Sequence, residues 1–298
     1  MNLFYLPLWY FQAKFLKKRK PLQTVLFITN RCNLSCKHCS VYEHHTPIVK
    51  SYEQIKDELK YSYNLGSRFV DFEGGEPTLW RDGNFSLNDL IDLAHKIGFF
   101  STTVTTNAQQ PFSNLKADSI WVSMDGIYEY HDAVRGSGTF DKLIKNIADC
   151  NHKALSANMV IDSNNYVNVA DTLNFVKNNP FLKSIAFNFY TPAFGNNSDP
   201  FILDWERRKS ILDFLISEKK RGAPIMNSTS GLKRMKDLSF EKVCWMCNYI
   251  LPDGTRLSEC VGKSAGVCEY CGFCMAGEMR SVIDFRPDTL LAGLNLRI

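Results

Sequence analysis

Between residues 23 and 220 the chain switches repeatedly between two hydrophobic periods, and this alternation restricts its fold more than any other feature. Short runs rich in β-branched and aromatic residues at 23–29, 69–73, 100–106, 119–124, 156–162 and 184–190 read as strands. Amphipathic stretches at 51–65, 86–98, 139–151, 168–179 and 203–220 read as helices between them. Strands that alternate with helices imply parallel pairing through crossover connections. Six strands in this order predict an α/β fold, a partial (β/α)6 TIM-like barrel over residues 23–221. Barrels of this type collect their chemistry at the carboxyl ends of the strands. The loops that follow each apolar run are therefore where functional residues are expected.

The first of those loops reads Asn30-Arg31-Cys32-Asn33-Leu34-Ser35-Cys36-Lys37-His38-Cys39. Three thiolates on one short loop can hold a four-iron cluster and leave its fourth iron without a protein ligand. Electron-transfer clusters are usually closed by four cysteines instead. A zinc site or a chance grouping are the alternatives, although the spacing is not the paired-cysteine pattern of structural zinc. The second strand run ends in Glu73-Gly74-Gly75-Glu76-Pro77. Paired glycines at a strand end let the backbone approach a ligand closely, and a carboxylate beside them can receive an ammonium. Alone, the same residues make an ordinary glycine turn before a helix.

Further runs follow in order: Ser101-Thr102-Thr103-Val104-Thr105-Thr106-Asn107, then Ile120-Trp121-Val122-Ser123-Met124-Asp125-Gly126, then His131-Asp132-Ala133-Val134-Arg135-Gly136. Taken together from residue 23 to about 165, the series resembles the radical S-adenosylmethionine (SAM) superfamily. The resemblance implies a [4Fe-4S] cluster on Cys32, Cys36 and Cys39, with SAM bound to its open iron. It also implies that Gly74, Gly75 and Glu76 hold the SAM amino group and that Asn107 lies near the nucleoside. Ser123 and Asp125 are expected near the ribose and carboxylate, and His38 beside the adenine. Arg135 would pair with the carboxylate through the parallel donors of its guanidinium. A solvated helix cap is the plain alternative for Arg135, and a solvent-facing loop position for His38. The implied reaction is one-electron cleavage of SAM to methionine and a 5′-deoxyadenosyl radical, which attacks an unactivated carbon while the protein orients it. Asn158 or Asp162 from the fifth strand, and Asn188 or Tyr190 from the sixth, are within reach of the pocket on the same pattern, with core or solvent-facing roles as the alternative.

After residue 222 the alternation stops, and Cys244, Cys247, Cys260, Cys268, Cys271 and Cys274 crowd into 31 residues. All six are candidate metal ligands. One four-iron cluster with two spare thiols, more than one cluster, or a zinc ribbon built on the two Cys-x-x-Cys pairs would each account for them. Relatives in the superfamily carry C-terminal auxiliary clusters in domains called SPASM or twitch, so a second [4Fe-4S] cluster is expected here. The pattern departs from the full SPASM spacing in lacking its long glycine-rich interval and trailing cysteines. The two ends of the chain also resemble hopanoid-type radical SAM enzymes that add adenosyl to a lipid. The expected organisation is an N-terminal amphipathic and basic segment (1–22), the core barrel (23–221) and a cysteine-rich auxiliary region (222–298).

Ten cysteines in a chain with no export signal argue for metal binding in a reducing cytoplasm; Cys150, apart from both clusters, reads as an inert buried thiol. A net charge of +4 does not point to nucleic acid, and no apolar stretch is long enough to span a membrane. Residues 3–16 are aromatic-rich and precede Lys17, Lys18, Arg19 and Lys20, a composition suited to a lipid headgroup boundary or to a helix docked on the barrel floor. Three functions are compatible with this reading. The chain is a radical SAM enzyme acting on a small molecule or lipid, with peripheral contact at the inner membrane face through residues 1–20. Alternatively it modifies a peptide or protein, or it is a non-catalytic zinc- or cluster-binding interaction protein. Only about 22 residues precede the first strand, which lowers the peptide reading without removing it. Either enzyme needs an electron donor of the flavodoxin or ferredoxin type.

Overall fold

A computed structural model describes residues 4–39, 46–192 and 199–297. The elements are α1 (Tyr5–Lys14), β1 (Gln23–Thr29), α2 (Tyr52–Leu65), β2 (Phe69–Gly74), a small hairpin of β3 (Arg81–Asp82) and β4 (Phe85–Ser86), α3 (Leu87–Ile97), β5 (Ser101–Thr106), β6 (Ser119–Ser123), α4 (Glu129–Arg135), α5 (Thr139–Ala148), β7 (Leu155–Ile161), α6 (Val169–Asn178), β8 (Ser184–Phe189), α7 (Trp205–Lys220) and α8 (Thr229–Arg234). The C-terminal region adds β9 (Cys247–Ile250), β10 (Arg256–Leu257), α9 (Val261–Ser264), α10 (Met275–Ile283) and α11 (Pro287–Arg297). Side-chain caps start several helices: Ser51 accepts from the Gln54 amide at α2, Asp204 from Arg207 at α7, and Ser86 with Asp89 forms a capping box at α3.

The main sheet runs β10-β9-β1-β2-β5-β6-β7-β8, and every pairing except β10 with β9 is parallel. Six core strands follow one another in chain order, the arrangement of a partial (β/α)6 barrel. The expected strands and helices all form, with ends shifted by a few residues. What the alternation did not announce is β9, which joins the same sheet beside β1, with Gln23 opposite Cys247. The cysteine-rich region is thus built onto the barrel wall.

Register separates the sheet into two faces. Leu26, Phe72, Val104, Ile120, Leu155 and Ile185 share one face, and with Ile55, Leu59, Leu90 and Ile91 of the helices they make the main core. The other face carries Asp71, Glu73, Thr103, Thr105, Ser123, Asn158 and Asn188, so the barrel interior is polar along most of its width. Toward β1 and β9 it turns apolar. There Val25, Phe27 and Cys247 pack with Trp9 and Ala13 of α1 and with Met279 and Ile283 of α10 in a second core.

Candidate active site at the carboxyl ends of the strands

The cysteine loop leaves β1 and is fastened across the ends of its neighbours. The Gly75 amide donates to the Thr29 carbonyl at 2.8 Å, and the Glu76 amide to the Arg31 carbonyl at 2.9 Å. A Cβ on Gly74 would collide with the Thr29 carbonyl oxygen, and one on Gly75 with that of Arg31. The glycine pair therefore makes room for the chain's own backbone, at the point where it turns into the cysteine loop.

Glu76 is 1% exposed and has no basic partner among the described residues. Its Oε1 accepts from the Thr78 amide, the Thr78 hydroxyl and the Thr106 hydroxyl, while Oε2 accepts from the Asn107 amide at 2.7 Å. Burial raises its pKa, against the pull of these donors. Oε2 retains acceptor capacity for one further donor, which fits the ammonium of an amino acid moiety. Asn107 bridges in the other direction: its Nδ2 donates to Asn33 Oδ1 at 2.8 Å and lies 3.7 Å from Cys32 Sγ, tying β5 to the cysteine loop.

The far side of the loop meets the segment after β6. Asp125 is fully buried, accepting from Arg135 Nε at 2.7 Å and from the Val160 amide at 3.0 Å, with His38 Nε2 at 3.6 Å. Burial alone would raise its pKa, but Arg135, His38 and His131 outweigh that and hold it below the usual carboxylate value. Arg135 Nη1 lies 3.9 Å from Cys36 Sγ, and the Lys37 amide donates to the Val134 carbonyl. The expected site residues His38, Asp125 and Arg135 therefore form one buried cluster against the cysteine loop. Ser123 lies in the same face of β6, opposite Asn158, with no side-chain hydrogen bond that bears on the cluster.

Cys32, Cys36 and Cys39 are free thiols, each partly exposed. Burial pushes Cys36 up to about 11, its neighbouring thiols add to that, and Arg135 opposes it. The Leu34 amide donates to Cys32 Sγ at 3.4 Å. Three thiols with N–H donors turned toward two of them, on a loop open to solvent, suit a cluster that spreads its ligands over several irons. Among the described residues no three His, Cys, Asp or Glu side chains stand close enough to hold a single ion.

Two participants lie inside the sequence runs without a role assigned to them by the runs themselves. His131 is buried, accepts from the Asp125 amide through Nδ1, and is pushed down to about 4 by burial, which keeps it neutral beside Arg135. Glu73 opens the glycine motif at the end of β2. Its side chain faces the barrel interior near Thr105, and burial together with the Asp71 carboxylate raises it to about 7. Its alternation with Asp71 along β2 was the available clue. Of the positions left open, Tyr190 stacks edge-on against His38 at 6.4 Å, and a buried Asp162 oxygen lacks a partner.

The C-terminal cysteines divide. Cys244 and Cys260 are close neighbours, and Cys244 holds Cys260 below the usual thiol value; Cys268 and Cys271 lie within electrostatic reach of Cys244, as Cys247 does of Cys260 and Cys274 of Cys271. Cys247 is buried in the second core and Cys274 in the main one. The loop holding Cys271 and Cys274 is anchored to the end of β8: the Phe189 amide donates to the Gly272 carbonyl at 2.9 Å, and the Cys274 amide to Asn188 Oδ1 at 2.9 Å. Cys244 and Cys260 flank β9 and β10 on the opposite edge of the sheet, so this thiol group straddles the open seam of the barrel. Beside it Arg208, 4% exposed, stacks on Phe189 and Trp205 at 4.6 Å each and donates to the Cys271 carbonyl at 2.6 Å. Its Nε has no partner, and no carboxylate pairs with it among the described residues. A guanidinium keeps its proton, and an unpaired buried charge is costly. The titratable groups that bear on it are the Cys274 and Cys271 thiols, which would offset its charge only as thiolates.

Comparison with known proteins agrees with this geometry. The model of the Radical SAM superfamily matches residues 26–176. Fe-coproporphyrin III synthase of Methanosarcina barkeri is 30% identical over 155 residues, covering 49% of this chain and 38% of that protein. Mycofactocin maturase MftC of Mycolicibacterium smegmatis is 33% identical over 126 residues, covering 40% of this chain and 31% of that protein. The chain thus spans about a third of the length of these curated relatives. Among solved structures, SuiB of Streptococcus suis bound to its precursor peptide SuiA superposes with a TM-score of 0.66 at 17% identity, covering 84% of this chain and 62% of that one. The protein anSMEcpe, solved with AdoMet and the Cp18Cys peptide, gives 0.61 at 20% identity over 81% of this chain and 74% of that one. These two share the fold. With a matching family model over half its length and a three-thiol loop locked to a glycine–glycine–glutamate strand end, the chain belongs to the radical SAM superfamily, enzymes that use a [4Fe-4S] cluster and SAM.

Proposed function

We propose that this enzyme modifies an unactivated carbon of a peptide or protein substrate, with a second [4Fe-4S] cluster at the barrel seam. The observation that carries the reading is the convergence of Cys36, Arg135, Asp125 and His38 at the strand ends, beside the Glu76 carboxylate. When bound at Cys32, Cys36 and Cys39, the cluster with SAM supplies reductive carbon–sulfur cleavage and a 5′-deoxyadenosyl radical. Glu76 Oε2 would accept the SAM ammonium, and the guanidinium edge of Arg135 not used by Asp125 would take its carboxylate. Asp125 holds Arg135 in that orientation from a buried position where their attraction is little screened. His38, neutral because burial lowers its pKa, offers an aromatic wall without adding charge.

A polar substrate is supported by the barrel interior, where Glu73, Thr105, Asn158 and Asn188 face inward in place of the aliphatic side chains an acyl chain would need. SuiB and anSMEcpe, the fold neighbours solved with peptides, lend the peptide its chemical class. Cys244, Cys260, Cys268 and Cys271 would ligate the second cluster, and Arg208 supplies its nearby positive charge. A flavodoxin- or ferredoxin-type protein would deliver the electron.

Anaerobically reconstituted protein mixed with SAM and dithionite should form 5′-deoxyadenosine; none formed would end the proposal. Short peptides encoded beside the gene, added to that reaction, should lose the mass of two hydrogens as a new bond forms, one hydrogen passing to the 5′-deoxyadenosyl radical and the other leaving as a proton with its electron going to the second cluster. A mass change confined to polar small molecules would retain the chemistry and overturn the peptide assignment.

A further inference from the structure

We propose that the outer face of α1, with the basic segment that follows it, is a docking surface for an anionic phospholipid membrane. The helix is apolar on both sides. Its inner side buries Trp9 and Ala13 in the second core, and Tyr10 donates to the Ile283 carbonyl at 3.1 Å. On its outer side Leu8, Phe11 and Phe15 recur at helical spacing, and each is at least half exposed. The Phe11 and Phe15 rings lie 5.3 Å apart, and the exposed Phe285 ring, 5.4 Å from Tyr10, widens the patch. An exposed aromatic stripe of this kind marks a surface that is covered in use.

Charge identifies the cover. After the helix, Lys17 takes a left-handed conformation (φ +52°), the Lys18 amide returns to the Gln12 carbonyl at 3.0 Å, and Trp9 Nε1 donates to the Lys20 carbonyl at 2.9 Å. Lys17, Lys18, Arg19 and Lys20 are thereby folded back beside the helix, exposed and without an ion pair among the described residues. Lys14 alone is neutralised, by Asp284 at 3.5 Å. No Asp or Glu occurs in residues 1–42. Arg19 also lines a cleft of about 250 Å³ with Arg256, Tyr61 and Trp245, where a headgroup phosphate would meet two guanidiniums; Glu259 on its rim is engaged by Lys263. Aromatic side chains at the headgroup level and lysines against anionic lipid are the recognised pairing for such a surface. No helix among the described residues is long and apolar enough to cross a membrane, so the contact is peripheral. The assignment does not depend on which substrate the enzyme takes.

The full chain, purified without oxygen, is sedimented with vesicles of phosphatidylcholine alone and with vesicles that also contain phosphatidylglycerol. Binding is expected to the mixed vesicles and to weaken as salt is raised. Lys17→Ser with Lys18→Ser should weaken it by about twenty-five-fold, roughly fivefold per charge. Phe11→Ser with Phe15→Ser should weaken it by about tenfold or more. Both variants should still cleave SAM at the unaltered rate, which shows that they fold. Equal binding to both vesicle types, no binding, or variants that bind like the parent would overturn the proposal. So would light scattering that shows a self-associated protein dispersed by the phenylalanine changes, since the face would then belong to a second copy of the chain.

Discussion

Cys32, Cys36 and Cys39 fall within eight consecutive residues of one loop, whereas Cys244, Cys260, Cys268 and Cys271 come from separate segments on opposite edges of the sheet. The first set is shaped by its immediate surroundings: a glycine pair beneath it, Asn107 on one flank and Arg135 on the other. The second is assembled only when β9 docks on β1 and the Gly272 loop docks on β8. A local motif preserves its geometry wherever the strand end survives. An assembled one depends on the whole wall. The two sites should therefore respond differently to substitution.

The sharpest contrast comes from deleting one thiol in each region. Cys36→Ala should abolish 5′-deoxyadenosine formation and remove about four irons per chain. Cys247→Ala, which changes a core thiol, should leave iron and sulfide counts unaltered; a loss of iron there would break the division of the C-terminal cysteines drawn above. Between those extremes, Cys260→Ala should lower iron by about four while SAM is still cleaved without substrate. Stability probes the local lock. Gly75→Ala drives a methyl into the Arg31 carbonyl and should cost about 3 kcal/mol in a denaturant titration, along with the first cluster. A variant as stable as the parent would mean that the loop yields readily.

Smaller effects test the surroundings of the second site. Arg208→Met should leave its iron count unchanged and lower its reduction potential by about 60 mV in an EPR-monitored titration, because a buried cation favours the more negative state. An unaltered potential would separate Arg208 from the cluster. The smallest effect concerns Glu278, which accepts from the Ser228 amide at 2.8 Å and is raised by burial to about 7. A carboxyl raised on folding holds its proton when the unfolded chain has lost it. Stability should accordingly fall as pH rises from about 4.5 to about 7. Glu278→Gln should flatten that slope by about 1 kcal/mol per pH unit, and an unchanged slope would show that Glu278 ionises freely.

Much of this is legible in the sequence, for a physical reason. Period-two runs and helical spacing act over a few residues, so the six core strands and the position of the first cysteine loop followed directly from the chain. Ser51, Asp204 and the Ser86–Asp89 pair mark helix starts in the same local way. The partnership of Glu76 with Thr106 and Asn107 was not legible, since it spans about thirty residues and depends on β2 lying next to β5. Neither was β9: four residues beginning with a cysteine carry no strand pattern of their own, and pairing with β1 decides their conformation. Arg208 reads as one basic residue among several on a surface helix, and only packing against Phe189 and Trp205 reveals it as buried.

An open curved sheet has two free margins, and here thiols stand at both: Cys244 and Cys260 beside β9 and β10, Cys271 beside β8. A cluster that drew its ligands from both margins would act as a rivet between the first and last staves of the wall. Oxygen damage at that point would then loosen the chamber itself as well as its electron chemistry, and protection from air becomes a condition of shape.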